Sequence, residues 1–240
     1  MRVSYNPIAT GNIIQHLAEN MQSERAEGTH VSELISCLRK AWAKRNGYAI
    51  PIDQDTTLVF ATGHALQDYI VGTADTEVRL ELDGVHGTMD YFSDVDMLPT
   101  EVKATYYSSG EDITTKAPHY MAQIAAYCKM RGVLEGKLMV FYINGPYNLF
   151  RKAENKVLGQ DGRPVRSVLK VYDVEFTQPE LDAWWEELQY RKGILERAED
   201  IEQIPIRLHH TWECDRCPLL GEICPGGEGA HEKIYEEVFA

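Results

Sequence analysis

Apolar and polar residues along this chain follow two different repeats, which divide it into a helical part and a sheet-forming part. Apolar residues spaced three or four apart predict helices at 9–21, 32–46 and 56–71. In the second of these segments Ser32 is a good N-cap residue. The first third of the chain is therefore predicted to be a helical region.

After residue 71 the repeat shortens to two, as expected for half-buried strands. The segments TEVRLEL and VHGTMDYF flank the dipeptide Asp83-Gly84, which favours a tight hairpin turn. Further strands are predicted for MLPTEVKAT, KLMVFYI and SVLKVYDVEF, and an Asp161-Gly162 turn precedes the last of them. These segments predict a mixed sheet.

Two helices are predicted in the second half of the chain. PHYMAQIAAYCKMRG reads as a helix that ends near Gly132. TQPE at 177–180 fits a capping box that opens a helix extending to about residue 200. Since the sequence shows no internal repeat or linker, we expect one α/β domain that spans residues 1–240.

Composition places the chain among soluble proteins. Of its 240 residues 44% are hydrophobic and 25% are charged, and no apolar run approaches the ~20 residues of a membrane span. The N-terminus lacks the pattern of a signal peptide, so a cytoplasmic location without membrane attachment is expected. Clustered cysteines in that compartment are more often metal ligands than disulfides.

The net charge of −13 argues against non-specific binding of nucleic acid. One predicted helix nevertheless carries a basic cluster, which is a candidate for local contact with DNA: Arg39, Lys40, Lys44 and Arg45.

Three of the five cysteines lie within TWECDRCPLLGEICPG, at Cys214, Cys217 and Cys224. Their C-x2-C-x6-C spacing indicates a metal site, but it leaves a fourth ligand to be found elsewhere. Four thiolates suit either zinc or an iron–sulfur cluster. Of the other two cysteines, Cys128 lies on a predicted helix and is interpreted as a core residue.

Charged residues in the middle of the chain are candidates for catalysis. Glu101 and Lys103 are two positions apart on a predicted strand, so both point to the same face. An isolated E-x-K triplet is more often a solvated strand face. Carboxylates upstream add weight to a metal site, and the candidates are Asp90, Asp94 and Asp96. Carboxylate oxygens suit magnesium or manganese.

Several motifs of this chain occur together in one known family, in the same order and spacing. The motifs are His64, Gly87-x-x-Asp90, Glu101-x-Lys103 and Gln123-x3-Tyr127. The chain thus resembles the RecB-like branch of the PD-(D/E)xK nuclease superfamily from about residue 32 to residue 225, and within it the stand-alone CRISPR-associated RecB-like exonucleases. The resemblance implies a restriction-endonuclease-like core, in which helices flank a mixed central sheet, with a helical N-terminal region.

The same resemblance implies roles for individual residues. It selects Asp90 over the other two candidate aspartates, Asp94 and Asp96. It also implies that Mg²⁺ or Mn²⁺ is bound by His64, Asp90, Glu101 and the carbonyl of Val102. Lys103 would orient the attacking water or stabilise developing charge. Gln123 and Tyr127 would support the site and the DNA strand.

The resemblance also supplies the fourth cysteine ligand. In iron–sulfur members of the branch one cysteine precedes the nuclease core and three follow it, which assigns Cys37 together with Cys214, Cys217 and Cys224. Residues 32–46 and 205–226 would form the cluster-binding part. A 4Fe–4S cluster is favoured, with zinc as the alternative.

The expected function is a metal-dependent DNA exonuclease that acts on single strands or ends, with CRISPR integration proteins as candidate partners. The chain has no G-x4-G-K-[ST] phosphate loop and so no sign of a helicase motor. Two alternatives remain open. One is a phage or repair recombination nuclease of the same fold, and the other is a cluster-stabilised DNA-end-binding module that cuts little alone.

Overall fold

The structure is a computed structural model of the chain. It describes the residues 7–20, 27–48, 50, 54–71, 78–92, 98–143, 145, 167–205, 217–219, 221, 223 and 224. Among the helices in these ranges, none combines the length and the hydropathy that a bilayer span requires.

Helices dominate the N-terminal region, as predicted. They are α1 (Pro7–Asn20), α2 (Val31–Leu34), α3 (Leu38–Arg45) and α4 (Gln54–Val71), with a short strand β1 (Thr29–His30) before α2. The predicted boundaries of the first and last of these helices hold to within two residues.

The prediction of a single helix at 32–46 is wrong, because two helices with a break between them occupy this segment. Arg191 from a later helix explains the break, since it donates to the carbonyl oxygens of Leu34 and Ser36. The predicted N-cap is also wrong. His30 precedes the first turn instead of Ser32, and its N–H donates to Glu33 Oε2 at 3.0 Å.

A three-stranded sheet contains β2 (Val78–Leu82) and β3 (Val85–Met89) in the order β1-β3-β2. The predicted hairpin turn is confirmed. Asp83 and Gly84 both have positive φ, at 49° and 70°, as a two-residue turn of this hand requires.

A second sheet holds four strands in sequential order: β4 (Tyr91–Phe92), β5 (Pro99–Thr105), β6 (Glu135–Tyr142) and β7 (Val168–Glu175). β5 and β6 are parallel, whereas the other neighbours are antiparallel. The prediction of a mixed α/β fold is therefore confirmed. The prediction of a single mixed sheet is wrong, because the segment VHGTMDYF divides at Asp90 into β3 and β4, which belong to different sheets. The Asp161-Gly162 turn lies outside the described residues.

The remaining elements are α5 (Ile113–Lys116), α6 (Pro118–Arg131), α7 (Gln178–Arg197) and a 3-10 turn (Ile201–Gln203). The predicted capping box at the start of α7 is confirmed by the reciprocal bonds of Thr177 and Glu180. Gly132 ends α6 with φ of 68°. Burial of Trp184, Leu138 and Ile124 shows that α6 and α7 pack with the second sheet around one core.

Candidate functional site

Asp90 lies where the chain leaves one sheet for the other. It follows β3 and precedes β4, whose Tyr91 pairs with Thr100 of β5. Its Oδ2 accepts a hydrogen bond of 2.8 Å from the backbone N–H of Val102. This bond fixes the carboxylate beside the middle of β5.

Glu101 is almost completely buried, with 1% of its surface exposed. Its Oε1 accepts a hydrogen bond from Lys103 Nζ, while its Oε2 is buried and has no hydrogen-bond partner among the described residues. Burial raises the pKa of Glu101 to about 8, helped by the nearby Asp90 carboxylate and opposed by the Lys103 ammonium. The strand face therefore holds a buried carboxylate with an unused oxygen.

Lys103 completes a group of three ionisable side chains, with Asp90 and Glu101. Its side chain is about a quarter exposed, and Nζ lies 5.6 Å from the centre of the Tyr120 ring. Burial lowers the pKa of Lys103, but Glu101 and Asp90 outweigh that effect and raise it above its ordinary value, so the ammonium stays protonated. Two carboxyl groups thus face one ammonium.

This donor set fits a divalent cation. Two carboxylates in close contact repel one another, and a buried, unpartnered carboxylate oxygen is costly. A hard cation bound between Asp90 and Glu101 would relieve both costs, because carboxylate oxygens are its preferred ligands.

Gln123 and Tyr127 lie behind Asp90 as a linked pair. Gln123 Nε2 donates to the Tyr127 hydroxyl at 2.8 Å, and that hydroxyl donates to the carbonyl of Thr88 at 2.7 Å. Gly87 lies directly under the ring, since a Cβ placed there would be 2.9 Å from Tyr127 Cε1. The glycine of the Gly87-x-x-Asp90 motif therefore allows α6 to approach β3 and support the turn that carries Asp90.

His64 is exposed on α4. A Cβ placed on the adjacent Gly63 would lie 3.7 Å from the Cβ of Ala104, so this helix packs against β5. Over the parts of the chain that the structure describes, no three His, Cys, Asp or Glu side chains form a group that could hold a metal ion. His64 and the Val102 carbonyl therefore stay predictions as metal ligands.

Three of the five cysteines lie next to α3 or pack against it, but among the described residues they do not form a group that could hold a metal ion. Cys37 immediately precedes this helix and is half-buried. Cys217 and Cys224 belong to a small apolar cluster with Trp42 and Ala43 of the same helix. Cys214 lies outside the described residues, so the complete set of four thiols stays a prediction.

Cys128 is confirmed as a core residue, because it is fully buried and its thiol donates to the carbonyl of Glu135 at 3.3 Å. Burial raises the pKa of this thiol to about 12.

The basic cluster on α3 is only partly available to a ligand. Arg39 is buried, and Arg45 forms an ion pair of 2.8 Å with Glu33. Lys40 and Lys44 are exposed. The interpretation of all four residues as a local DNA-contacting surface is therefore wrong for Arg39, which points into the protein.

Sequence reasoning missed Tyr120, which lies against the Lys103 ammonium. Its position three residues before Gln123 on a predicted helix could have revealed it, since residues three apart share a helix face.

Comparison with known proteins establishes the fold but not the activity. No protein-family profile matches the chain, and no curated protein matches it either. A solved structure described as "Crystal structure of SSO0001" is similar with a TM-score of 0.55 at 17% identity, over 90% of this chain and 96% of that chain.

A second solved structure, a phage related exonuclease from Haemophilus somnus 129PT, gives a TM-score of 0.35 at 10% identity, over 80% of this chain and 81% of that chain. The chain therefore shares its mixed α/β fold with SSO0001.

Proposed function

We propose that this chain is a metal-dependent DNA nuclease of the RecB-like, PD-(D/E)xK type, which hydrolyses phosphodiester bonds as an exonuclease on single strands or DNA ends. One observation carries the proposal. Asp90 and the buried Glu101 lie together, with a carboxylate oxygen unpartnered among the described residues, beside the protonated Lys103.

Each residue of this group has a role in such a reaction. A bound divalent cation stabilises the negative charge that grows on the phosphoryl oxygens and lowers the pKa of a coordinated water. Asp90 and Glu101 would hold Mg²⁺ or Mn²⁺. Lys103 would stabilise the developing charge or orient the attacking water, and its low-dielectric surroundings strengthen that effect. Gln123 and Tyr127 hold the strand that leads to Asp90.

A 4Fe–4S cluster bound by Cys37, Cys214, Cys217 and Cys224 is part of the proposal, with zinc as the alternative. The fit rests on the packing of Cys217 and Cys224 against the helix that Cys37 precedes. Phosphodiester hydrolysis transfers no electrons, so the cluster would have a structural role and would join the segment before the sheets to the segment after α7.

The biological setting is proposed from the sequence resemblance alone. It suggests a cytoplasmic enzyme of CRISPR spacer acquisition that works beside the integration proteins. A phage or repair nuclease would use the same site residues in a different setting.

Digestion of end-labelled DNA tests the activity. Single-stranded and blunt duplex substrates are incubated with purified protein in Mn²⁺, in Mg²⁺ and in EDTA, and Glu101→Gln serves as the matched control. We expect shortening of the labelled strand with metal only, and none with the variant. Tight binding of DNA ends without cleavage would support the binding module instead. Equal cleavage by the variant would place the active site elsewhere.

The cofactor is tested separately, by the visible spectrum and the iron, sulfide and zinc content of anaerobically purified protein. Iron–thiolate charge transfer gives broad visible absorption, and zinc gives none. A colourless protein with stoichiometric zinc would refute the iron–sulfur cluster and leave the nuclease proposal standing.

A further inference from the structure

Arg39 is a buried cation in an unusual environment. It lies on α3, two residues after Cys37, and only 8% of its surface is exposed. A buried charge is costly unless it is paired or fully hydrogen-bonded. Within the described part of the chain, however, no carboxylate forms an ion pair with this guanidinium.

The hydrogen bonds of Arg39 lead to the cysteine loop instead. Nε donates to the carbonyl of Ile204 at 2.7 Å, and Nη1 donates to the sulfur of Cys224 at 3.4 Å. A neutral thiol is a weak acceptor for such a donor, whereas an anionic sulfur is a strong one. The positive charge of the buried guanidinium would thus balance the negative charge of a metal-bound thiolate.

The two bonds also join separate parts of the chain. Ile204 directly follows the 3-10 turn, and Ile201 of that turn packs in the same apolar cluster as Cys224 and Ala43 of α3. One side chain therefore ties α3, the turn after α7 and the C-terminal cysteine loop together. An exposed basic residue that contacts DNA would do none of this.

We propose that Arg39 is a positioning residue for the metal cluster, which fixes the Cys224 sulfur by a charge-assisted hydrogen bond and fixes the cysteine loop against α3. This inference rests on the proposed cofactor. Hydrogen bonds to ligand sulfurs and residues that orient metal ligands are known determinants of how well a metal site holds its metal.

The experiment compares Arg39→Gln and Arg39→Lys with Lys40→Gln, an exposed neighbour on the same helix. The first variant removes the charge but keeps an amide donor, and the second keeps the charge but loses the planar fork. The first readout is iron and sulfide retained per chain during challenge with an iron chelator. We expect Arg39→Gln to lose iron about 10- to 100-fold more readily than wild type, Arg39→Lys to fall between, and Lys40→Gln to match wild type.

The second readout is the rate at which iodoacetamide alkylates Cys224 after the metal has been removed, measured by peptide mass spectrometry. Arg39→Gln should slow this reaction several-fold, because iodoacetamide reacts with the thiolate and the variant removes the guanidinium that donates to its sulfur. Alkylation of the core residue Cys128 reports unfolding, so its rate should not change. If circular dichroism shows that Arg39→Gln is unfolded, both measurements are made on Arg39→Lys instead.

The outcomes separate this inference from the proposed function. An iron-containing wild type with unchanged iron retention and unchanged Cys224 alkylation in Arg39→Gln would overturn the role of Arg39 and leave the cofactor in place. A wild type that contains neither iron nor zinc would overturn the cofactor itself, and this inference with it.

Discussion

The carboxylate site and the cysteine region differ in how far apart along the sequence their contacting residues lie. Asp90, which directly precedes β4, and Val102 on the neighbouring β5 are 12 positions apart, and their contact is part of local sheet geometry. Arg39 and Cys224 are 185 positions apart and meet only when both ends of the domain are in place. Damage to the first region should therefore affect chemistry, whereas damage to the second should affect folding first.

Lys103→Met gives the largest expected effect and tests the carboxylate side of this comparison. Loss of one preorganised charge at a reacting phosphoryl group typically lowers kcat by about 10²–10³-fold. We expect that loss in cleavage of labelled DNA, with iron content unchanged. Loss of iron in this variant would show that the two regions are coupled, and would contradict the comparison.

Cys37→Ala tests the other side. Structural metal sites contribute several kcal/mol to folding, and each kcal/mol corresponds to roughly 2–4 °C in Tm for a domain of this size. We expect a fall in Tm of about 10 °C or more, together with loss of iron, and a decline in activity only as the protein unfolds. Unchanged Tm and iron content would exclude Cys37 as the fourth ligand.

The pH dependence of stability without metal should reveal the cost of ionising Glu101 in its buried position. Its pKa is about 8 in the folded protein against an ordinary 4.5, so the folded state binds the extra proton. The stability that this group contributes is fully present below about pH 4.5 and is lost as pH rises through 8. In EDTA, the Tm of wild type should fall across this window more than the Tm of Glu101→Gln. Parallel curves for the two proteins would contradict the raised pKa.

The smallest effects come from a matched pair of glycines, one in each region. At Gly87 a Cβ would be 2.9 Å from Tyr127 Cε1, whereas at Gly221 nothing lies within 4 Å, but φ is +80°. Gly87→Ala should cost about 1–3 kcal/mol through overpacking and should lower cleavage by moving the strand that leads to Asp90. Gly221→Ala should cost about 1–2 kcal/mol through backbone strain alone, without a direct effect on cleavage. Calorimetry and DNA digestion of both variants measure the difference.

Local sequence rules predicted the elements around the carboxylate site because its contacts are mostly local. Alternation along β5 placed Glu101 and Lys103 on one face, and their contact confirms that placement. Burial of Glu101 could not be predicted in this way, because strand alternation does not reveal which elements cover a face.

The same rules failed near the cysteines, where distant contacts decide the structure. Helical periodicity continues through residues 35–37, yet the helix breaks there. The guanidinium of Arg191 donates hydrogen bonds to the carbonyl oxygens of Leu34 and Ser36, which are 157 and 155 positions away in the sequence. A local sequence pattern cannot reveal so distant a partner. The contact of Arg39 with Cys224 could not be predicted for the same reason.

The large sequence separation between Arg39 and Cys224 has a consequence for biosynthesis. A ribosome that adds about 5–20 residues per second makes Cys224 roughly 10–40 s after Arg39. The indole of Trp42 donates to the carbonyl of Ala198, which is made 156 positions later. During this delay α3 emerges without the groups that bury its arginine and tryptophan, so the region around α3 completes its packing only after Cys224 has been made. Nascent chains stalled before α7 should therefore expose Trp42 to chaperones and proteases, even though α3 itself has already been made.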